Sequence, residues 1–473
     1  MDYEYEKGYD ETCPNSIEKY AKNLIGKTFL DIREAYFNKK TEVHQPEKIF
    51  NYENKKHKGG LGELIEECFF HYKCNNDSKS DFDKAGVELK VTPYRINKNG
   101  SFSAKERLII TMIDYFAVVD EDFLTSHFWN KSNLILIIYY LYQSEVSNRL
   151  DYRIDFAKLF SPPKQDLLII KNDFEKIVKK IREGKAHELS EGDTLYLGAA
   201  TKAATSADTR KQPFSSELAK PRAFAFKNSY MTYILNNYIV PNKITYEVIA
   251  KDDVDSFEDY VVKKIRNYKG YSIDKLCFDF KIEFDKKPKN LEAILAYRIL
   301  GIKGNSAEEF VKANIVVKTI RISNKNSIKE SMSFPTFKFK ELIEENWEES
   351  TFGLYLSQTK FLFVVYKEDS EGIYRLRGSQ FWNIPYKDLE ENVYKVWEQT
   401  RKVINDGLII TKKNNRNYNN FPNASENRVC HVRPHARDSN DTYELPDGRQ
   451  YPKQCFWLNN KYILSQLNED IID

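Results

Sequence analysis

The chain has 473 residues, of which 41% are hydrophobic and 30% are charged, a balance typical of globular proteins with two or three domains. Its 73 Lys and Arg nearly balance 70 Asp and Glu, so the net charge of +3 indicates no partner and any basic surface must be local. The sequence contains no apolar run of membrane-spanning length, and its first residues are acidic where a signal peptide would be basic. Six cysteines do not make a disulfide framework in so long a chain. We therefore expect a reduced, cytoplasmic protein with no membrane partner.

The first predicted elements are helices. Residues 15–25 are predicted to form a helix with Asn15 or Ser16 as N-cap, and the polar, Lys-rich residues 38–58 a loop. Apolar side chains then recur at helical spacing between residues 61 and 72, which predicts an amphipathic helix.

Glu66 lies at the edge of that apolar stripe, so its carboxylate either meets solvent or points into a cleft. Cys68, His71 and Cys74 have a spacing that permits zinc binding, but a structural zinc site needs four ligands and no fourth is nearby. A core cysteine with two unrelated neighbours is the interpretation that we favour here.

Two carboxylates and a lysine lie between residues 81 and 90. The alternation from Val87 to Val91 predicts a strand, in which Glu88 and Lys90 share one face. Asp81 lies just upstream. Paired carboxylates are hard oxygen ligands for magnesium, and a neighbouring cation stabilises charge on an attacked phosphate. A solvated strand face with a weak ion pair is the alternative.

The next elements predict a sheet with flanking helices, an α/β fold. Leu134–Tyr140 is the most hydrophobic strand and should be central, and Lys131 lies just before it. The other predicted elements are a strand at 107–115, a helix at 168–183, a short strand at 195–197, a loop of small residues with Lys202 at 198–206, and a closing helix at 224–238.

Residues 241–254 are predicted to be a linker between two similar halves, residues 1–240 and 255–473. The repeat is seen in the order of elements: the helix at 61–70 is echoed at 291–300, the segment 81–90 at 309–318, and the strand at 134–139 at 361–366. The acidic positions differ, because Glu66 becomes Ala296, Glu88 becomes Val316, and Asp81 becomes Glu309. One carboxylate holds a divalent ion poorly, so we expect the second half to be inert and the acids of the first half to be catalytic.

The motifs resemble those of a known nuclease family. These motifs are Lys58–Gly62 through Glu66, Asp81 through Lys90, Ser126–Lys131, Phe224–Lys227, Val432–His435 and Leu445–Asn459. Together they resemble MutH, the mismatch-repair endonuclease that nicks GATC sites. Over nearly its full length the chain resembles the Sau-type restriction endonucleases, which cut GATC and contain two MutH-like domains.

This resemblance implies the PD-(D/E)xK fold, a mixed central sheet flanked by helices and duplicated in tandem. It implies that Glu66, Asp81 and Glu88 surround magnesium, that Lys90 acts on the attacking water or the phosphate, and that Lys131 is a further active-site lysine. The residues implied to contact DNA are Lys58, Lys202 and Lys227 in the first half and Arg433 and His435 in the second.

The function implied is that of a type II (type IIE) restriction endonuclease, paired with a cognate DNA methyltransferase, whose C-terminal domain binds a second GATC site as an allosteric effector. Double-strand cleavage then requires two chains on the DNA, as a homodimer, or two successive nicks by one chain. The family arginine is replaced by Ala200, and the family tyrosine that senses methylation by Ala225. A mismatch-repair nickase and a non-catalytic duplicated DNA-binding protein are the alternatives.

Overall fold

The computed structural model describes residues 8–39, 52–53, 59–72, 79–202, 207–240, 244–250, 254–283, 288–413 and 416–472. Contacts divide the chain into two compact units. Unit 1 comprises residues 1–187, 194–246 and 311–313, and unit 2 comprises residues 188–193, 247–310 and 314–473. The main boundary, between residues 246 and 247, lies inside the predicted linker. No helix in the described ranges is both long and apolar enough to cross a bilayer.

Unit 1 is built from six helices and nine strands within its described residues. The helices are α1 Pro14–Ala21, α2 Phe29–Lys39, α3 Gly60–Leu64, α4 His127–Ser132, α5 Lys164–Arg182 and α6 Asn228–Ile234, with π-helical turns continuing α3 over Ile65–Phe69 and α6 over Leu235–Ile239. The strands are β1 Glu88–Ile96, β2 Phe102–Ala104, β3 Leu108–Met112, β4 Ile135–Leu141, β5 Ile154–Phe160, β6 Leu197–Thr201, β7 Arg210–Gln212, β8 Ser215–Ala219 and β9 Arg222–Phe226.

A mixed sheet organises unit 1, with strand order β2-β1-β4-β5. Strands β1 and β4 are parallel, and β4 is interior, as its continuous hydrophobic sequence predicted. Leu89 pairs with Leu136, and both face a core lined by α1, α2 and α3. A second, antiparallel sheet has the order β3-β9-β6. The predicted mixed α/β fold is confirmed.

Unit 2 contains the remaining elements. The helices are α7 Phe257–Arg266, α8 Ile273–Asp279, α9 Leu291–Ile299, α10 Glu308–Ala313, α11 Phe339–Leu342, α12 Thr351–Gln358, α13 Tyr394–Asp406, α14 Asn460–Ser465 and α15 Glu469–Ile472. The strands are β10 Ile315–Ile322, β11 Met332–Phe337, β12 Lys360–Glu368, β13 Tyr374–Trp382, β14 Ile410–Lys413, β15 Arg416–Asn419, β16 Cys430–Pro434, β17 Thr442–Glu444, β18 Gln450–Pro452 and β19 Gln454–Leu458.

The two units repeat one topology. In unit 2, β10 and β12 are parallel and β13 is antiparallel to β12, which matches β1, β4 and β5. The sheet β11-β19-β16 matches β3-β9-β6. A buried tyrosine–aspartate hydrogen bond also recurs, from Tyr230 to Asp166 at 3.0 Å in unit 1 and from Tyr462 to Asp388 at 2.9 Å in unit 2. These shared features support the predicted duplication.

Strand registers align the halves residue by residue. Glu88 pairs with Ile135, and Val316 pairs with Phe361. Val316 therefore occupies the position of Glu88, as predicted. The equivalent of Phe361 is Ile135, one residue later than the sequence comparison placed it.

Three local predictions were wrong. Helix α1 has Cys13 as its N-cap, without a side-chain cap, and Ser16 instead accepts the backbone N–H of Asp10. Residues 224–226, predicted as helix, end strand β9, because apolar residues in a short run fit either structure and here they pair with both neighbouring strands. The loop predicted at 198–206 begins as strand β6, and residues 203–206 lie outside the described residues.

Candidate active site

The first residues of the candidate site lie at the start of β1. Gly86 has a φ of +66°, which lets the chain turn between Asp81 and the strand, and Phe82 bridges to Val87 across this turn. The carboxylate of Asp81 accepts the backbone N–H of Leu89 at 2.8 Å. This hydrogen bond holds the Asp81 side chain beside the strand.

The carboxylate of Glu88 is buried, with 2% of the side chain exposed. The ammonium of Lys90 donates to Glu88 Oε1 at 2.6 Å, and that of Lys131 lies 3.4 Å from both Glu88 oxygens. A solvated strand face, the alternative interpretation of this sequence, is therefore excluded for Glu88. Burying the ion costs several kcal/mol, about the amount that two close cations and their hydrogen bonds offset.

Lys131 reaches this carboxylate from helix α4, which ends just before β4. The hydroxyl of Ser126 caps α4 by accepting the N–H of Trp129 at 3.0 Å. Because β4 is parallel to β1 and pairs Ile135 with Glu88, the end of α4 lies beside the start of β1. Residues 43 positions apart thus form one cluster.

Burial raises the pKa of Asp81, and repulsion from Glu88 raises it further, against the lowering effects of Lys90, the Leu89 N–H and Lys131. The two carboxylates repel each other in a buried place, and their oxygens are the hard ligands that divalent cations such as magnesium prefer. No cluster of three potential metal-ligating side chains occurs within the described ranges. Glu66 is half-buried on the π-helical turn after α3, and its role as a third ligand stays a prediction.

The predicted DNA-contacting residues differ in their settings. Lys202 is exposed just after β6, and Arg433 and His435 are exposed at the end of β16. Lys58 lies outside the described residues. Lys227 is buried, and its ammonium donates to the carbonyl of Thr194. A structural role explains Lys227, and we leave it out of the DNA-contacting set.

Within its described residues, unit 2 has no cluster equivalent to the one around Glu88 in unit 1. The carboxylate of Glu309, the counterpart of Asp81, accepts the backbone N–H groups of Ile249 at 3.0 Å and Ala250 at 2.9 Å. Val316, in place of Glu88, packs against the hydrophobic core. In the described part of the chain, no carboxylate forms an ion pair with Lys318, the counterpart of Lys90, and burial lowers its pKa.

The chain is similar to characterised nucleases. A family model described as DNA mismatch repair enzyme MutH matches residues 70–173, which include the Asp81–Lys131 cluster. The type II restriction enzyme Sau3AI of Staphylococcus aureus is 38% identical over 503 aligned residues, which cover 97% of this chain and 98% of Sau3AI. The chain belongs to the family of type II restriction enzymes.

Two MutH proteins are also similar to this restriction enzyme. The DNA mismatch repair protein MutH of Vibrio parahaemolyticus is 28% identical over 39% of this chain and 81% of its own length. That of Vibrio campbellii is 26% identical over 46% of this chain and 92% of its own length. These matches span one MutH-sized region, whereas the restriction-enzyme match spans both units. The protein is therefore an endonuclease, a hydrolase of DNA, with a MutH-like fold.

Proposed function

We propose that this enzyme makes double-strand cuts at GATC sites by magnesium-dependent hydrolysis, with the catalytic centre in unit 1. The observation that carries this proposal is the buried Glu88 carboxylate with Lys90 at 2.6 Å and Lys131 at 3.4 Å. GATC itself rests on the resemblance to the Sau-type and MutH enzymes.

Asp81 and Glu88 would hold the magnesium ion, and Glu66 is the proposed third ligand. When bound, the ion lowers the pKa of a water molecule and stabilises negative charge on the phosphate. The raised pKa of Asp81 supports this assignment, because a divalent cation relieves the repulsion between the two carboxylates.

Lys90 and Lys131 have two tasks in this proposal. Their ammonium groups fix the orientation of the Glu88 carboxylate, because both contact its oxygens. Lys90 lies at the partly exposed edge of the cluster, so it is the residue that positions the attacking water. Both lysines offset the charge that develops on the phosphate.

Unit 2 is proposed to bind a second GATC site and to act as an allosteric effector. In unit 2, Ala296 and Val316 replace two of the acids of unit 1, and the carboxylate of Glu309 accepts backbone N–H groups. Arg433 and His435 are exposed on this unit. Lys58 and Lys202 are the proposed DNA contacts of unit 1. Among the described residues the proposed centre occurs in unit 1 and not in unit 2, so either two chains form a dimer on the palindrome or one chain nicks twice. Such an enzyme would work in the cytoplasm beside a cognate methyltransferase.

A plasmid digest tests this function. With magnesium we expect fragments whose sequenced ends all derive from GATC, and with EDTA we expect intact plasmid. Nicked circles that require added repair proteins would indicate a MutH-like nickase, and binding without cleavage would indicate a non-catalytic DNA-binding protein.

Methylation sensitivity provides a separate test. Ala225 replaces the family tyrosine, so we propose that cutting does not require hemimethylated DNA. Unmethylated, hemimethylated and fully methylated GATC duplexes digested in parallel distinguish the cases. A strong preference for the hemimethylated duplex would contradict this proposal.

A further inference from the structure

Trp457 in unit 2 organises the exposed end of β16. The guanidinium carbon of Arg433 lies 4.0 Å from the centroid of the Trp457 ring system. The indole N–H of Trp457 donates to the backbone carbonyl of Arg433 at 3.3 Å. One side chain therefore fixes both the strand and the arginine that it carries.

Two histidines complete the surroundings of the indole. The ring of His435 meets it edge-on at 5.3 Å, and the ring of His431 lies parallel to it at 6.5 Å. His431 is itself held by a 2.5 Å hydrogen bond between its Nδ1 and Asn459 Oδ1. Trp457 is 9% exposed and His431 4%, whereas Arg433 and His435 are exposed. The exposed side chains of Arg433 and His435 thus rest on the buried rings of Trp457 and His431.

The guanidinium of Arg433 is suited to binding a ligand. None of the carboxylates in the described ranges forms an ion pair with it. The contact with the indole restricts the rotamers of the arginine, and the side chain is exposed to solvent. Such an arginine is pre-organised for a bidentate contact, and the O6 and N7 acceptors of guanine in the major groove are the commonest specific partner.

Unit 1 demonstrates that the fold does not need this arrangement. Register places Gly198 opposite Ala225 in unit 1, where unit 2 has His431 opposite Trp457. The position of Arg433 is occupied by Ala200, and both unit 1 alanines are buried. The same strand pair forms with small side chains in unit 1, so this topology does not require the arginine and the indole.

We propose that Trp457 is a positioning residue that holds Arg433 for contact with a guanine edge in the DNA bound by unit 2. This inference rests on the proposed function, in which unit 2 binds a second site.

The test uses the full chain with Glu88→Ala, which binds without cutting. Short fluorescent duplexes with one GATC site are titrated, and the number bound per chain is measured by analytical ultracentrifugation. We expect two duplexes per chain. Arg433→Ala and Trp457→Leu should each lower the affinity for the second duplex by at least 30-fold, and Arg433→Lys should fail to restore it, because a point charge cannot form the planar, stacked fork.

Two controls separate positioning from folding. Trp457→Tyr keeps an aromatic face and should retain the second duplex. Trp347→Leu removes a half-buried indole elsewhere in unit 2 and should also retain it. In duplexes with 7-deazaguanine, which lacks the N7 acceptor, the starting protein should lose affinity for the second site, and the Arg433→Ala protein should lose no more.

The outcomes distinguish the positioning role of Trp457 from the proposed binding of a second site by unit 2. A folded Glu88→Ala chain that binds one duplex in place of two would overturn both. Two duplexes in the starting protein, with no loss in either Arg433→Ala or Trp457→Leu, would overturn the positioning role alone. Loss in only one of these variants, or equal loss in Trp347→Leu, would overturn it as well.

Discussion

The two units of this restriction enzyme share one topology but have their polar side chains at different equivalent positions. Unit 1 buries Glu88 between two lysines and has alanines at 200 and 225, on the strand pair that carries Arg433 and Trp457 in unit 2. Unit 2 has Val316 at the Glu88 position, packed against the hydrophobic core. Because each arrangement is absent from one unit, neither is a requirement of the fold. The difference therefore supports the proposed roles, with Glu88 in the chemistry of unit 1 and Arg433 in recognition by unit 2.

The largest effect is expected at Glu88. Glu88→Ala should reduce single-turnover cleavage of a GATC plasmid by about three orders of magnitude, roughly 4 kcal/mol, because the proposed metal loses an oxygen ligand. The matched variant Val316→Ala removes the side chain at the equivalent position and should leave cleavage unchanged. Circular dichroism and DNA binding should be retained in Glu88→Ala. Loss of fold or binding would mean that Glu88 is structural.

The next test compares Asp81 with its counterpart Glu309, since one substitution should reduce cleavage and the other should reduce stability. Asp81→Ala should lower cleavage by about two orders of magnitude. Glu309→Ala should instead lower the free energy of unfolding by about 1–3 kcal/mol, because the N–H groups of Ile249 and Ala250 lose their acceptor. Cleavage rates at low temperature and urea unfolding measure the two effects. Equal loss of cleavage in both variants would argue against an inert unit 2.

Lys131 should have a smaller effect than Lys90. Lys131→Met is expected to slow cleavage about tenfold, or 1.4 kcal/mol, because its ammonium lies 3.4 Å from Glu88 whereas that of Lys90 lies at 2.6 Å. Lys90→Met should be slower still. Single-turnover rates at saturating enzyme measure both, and the reverse order would exchange their proposed roles.

The smallest effect is on stability, at Lys318. Burial lowers its pKa, so between that value and 10.5 the unfolded chain binds more protons and stability rises with pH. Lys318→Met should therefore stabilise the protein at pH 7 by about 1 kcal/mol, or roughly 2–4 °C in Tm. This gain should shrink as the pH approaches 10.5, and cleavage should not change. Thermal unfolding across this pH range tests it, and a lower Tm at pH 7 would indicate an unrecognised partner for Lys318.

The sequence by itself determined the main features of unit 1. Alternation of apolar and polar residues predicted β1, and continuous hydrophobicity predicted β4 as an interior strand. The internal repeat identified the acidic positions of the first half that hold non-acidic residues in the second half. These signals lie within short windows or recur along the chain, so local periodicity is enough to find them. The same local information misplaced residues 224–226, since a short apolar run does not distinguish helix from strand.

Tertiary structure decided the rest. Only the pairing of β1 with β4 brings Lys131 to Glu88, 43 residues away, and determines that Glu88 is buried and not solvated. Only the fold buries Lys227, a lysine that the motif comparison assigned to DNA. The contact between Trp457 and Arg433 depends on the register of two strands distant in sequence. Long-range pairing sets these contacts, and the spacing of residues along the chain does not encode it.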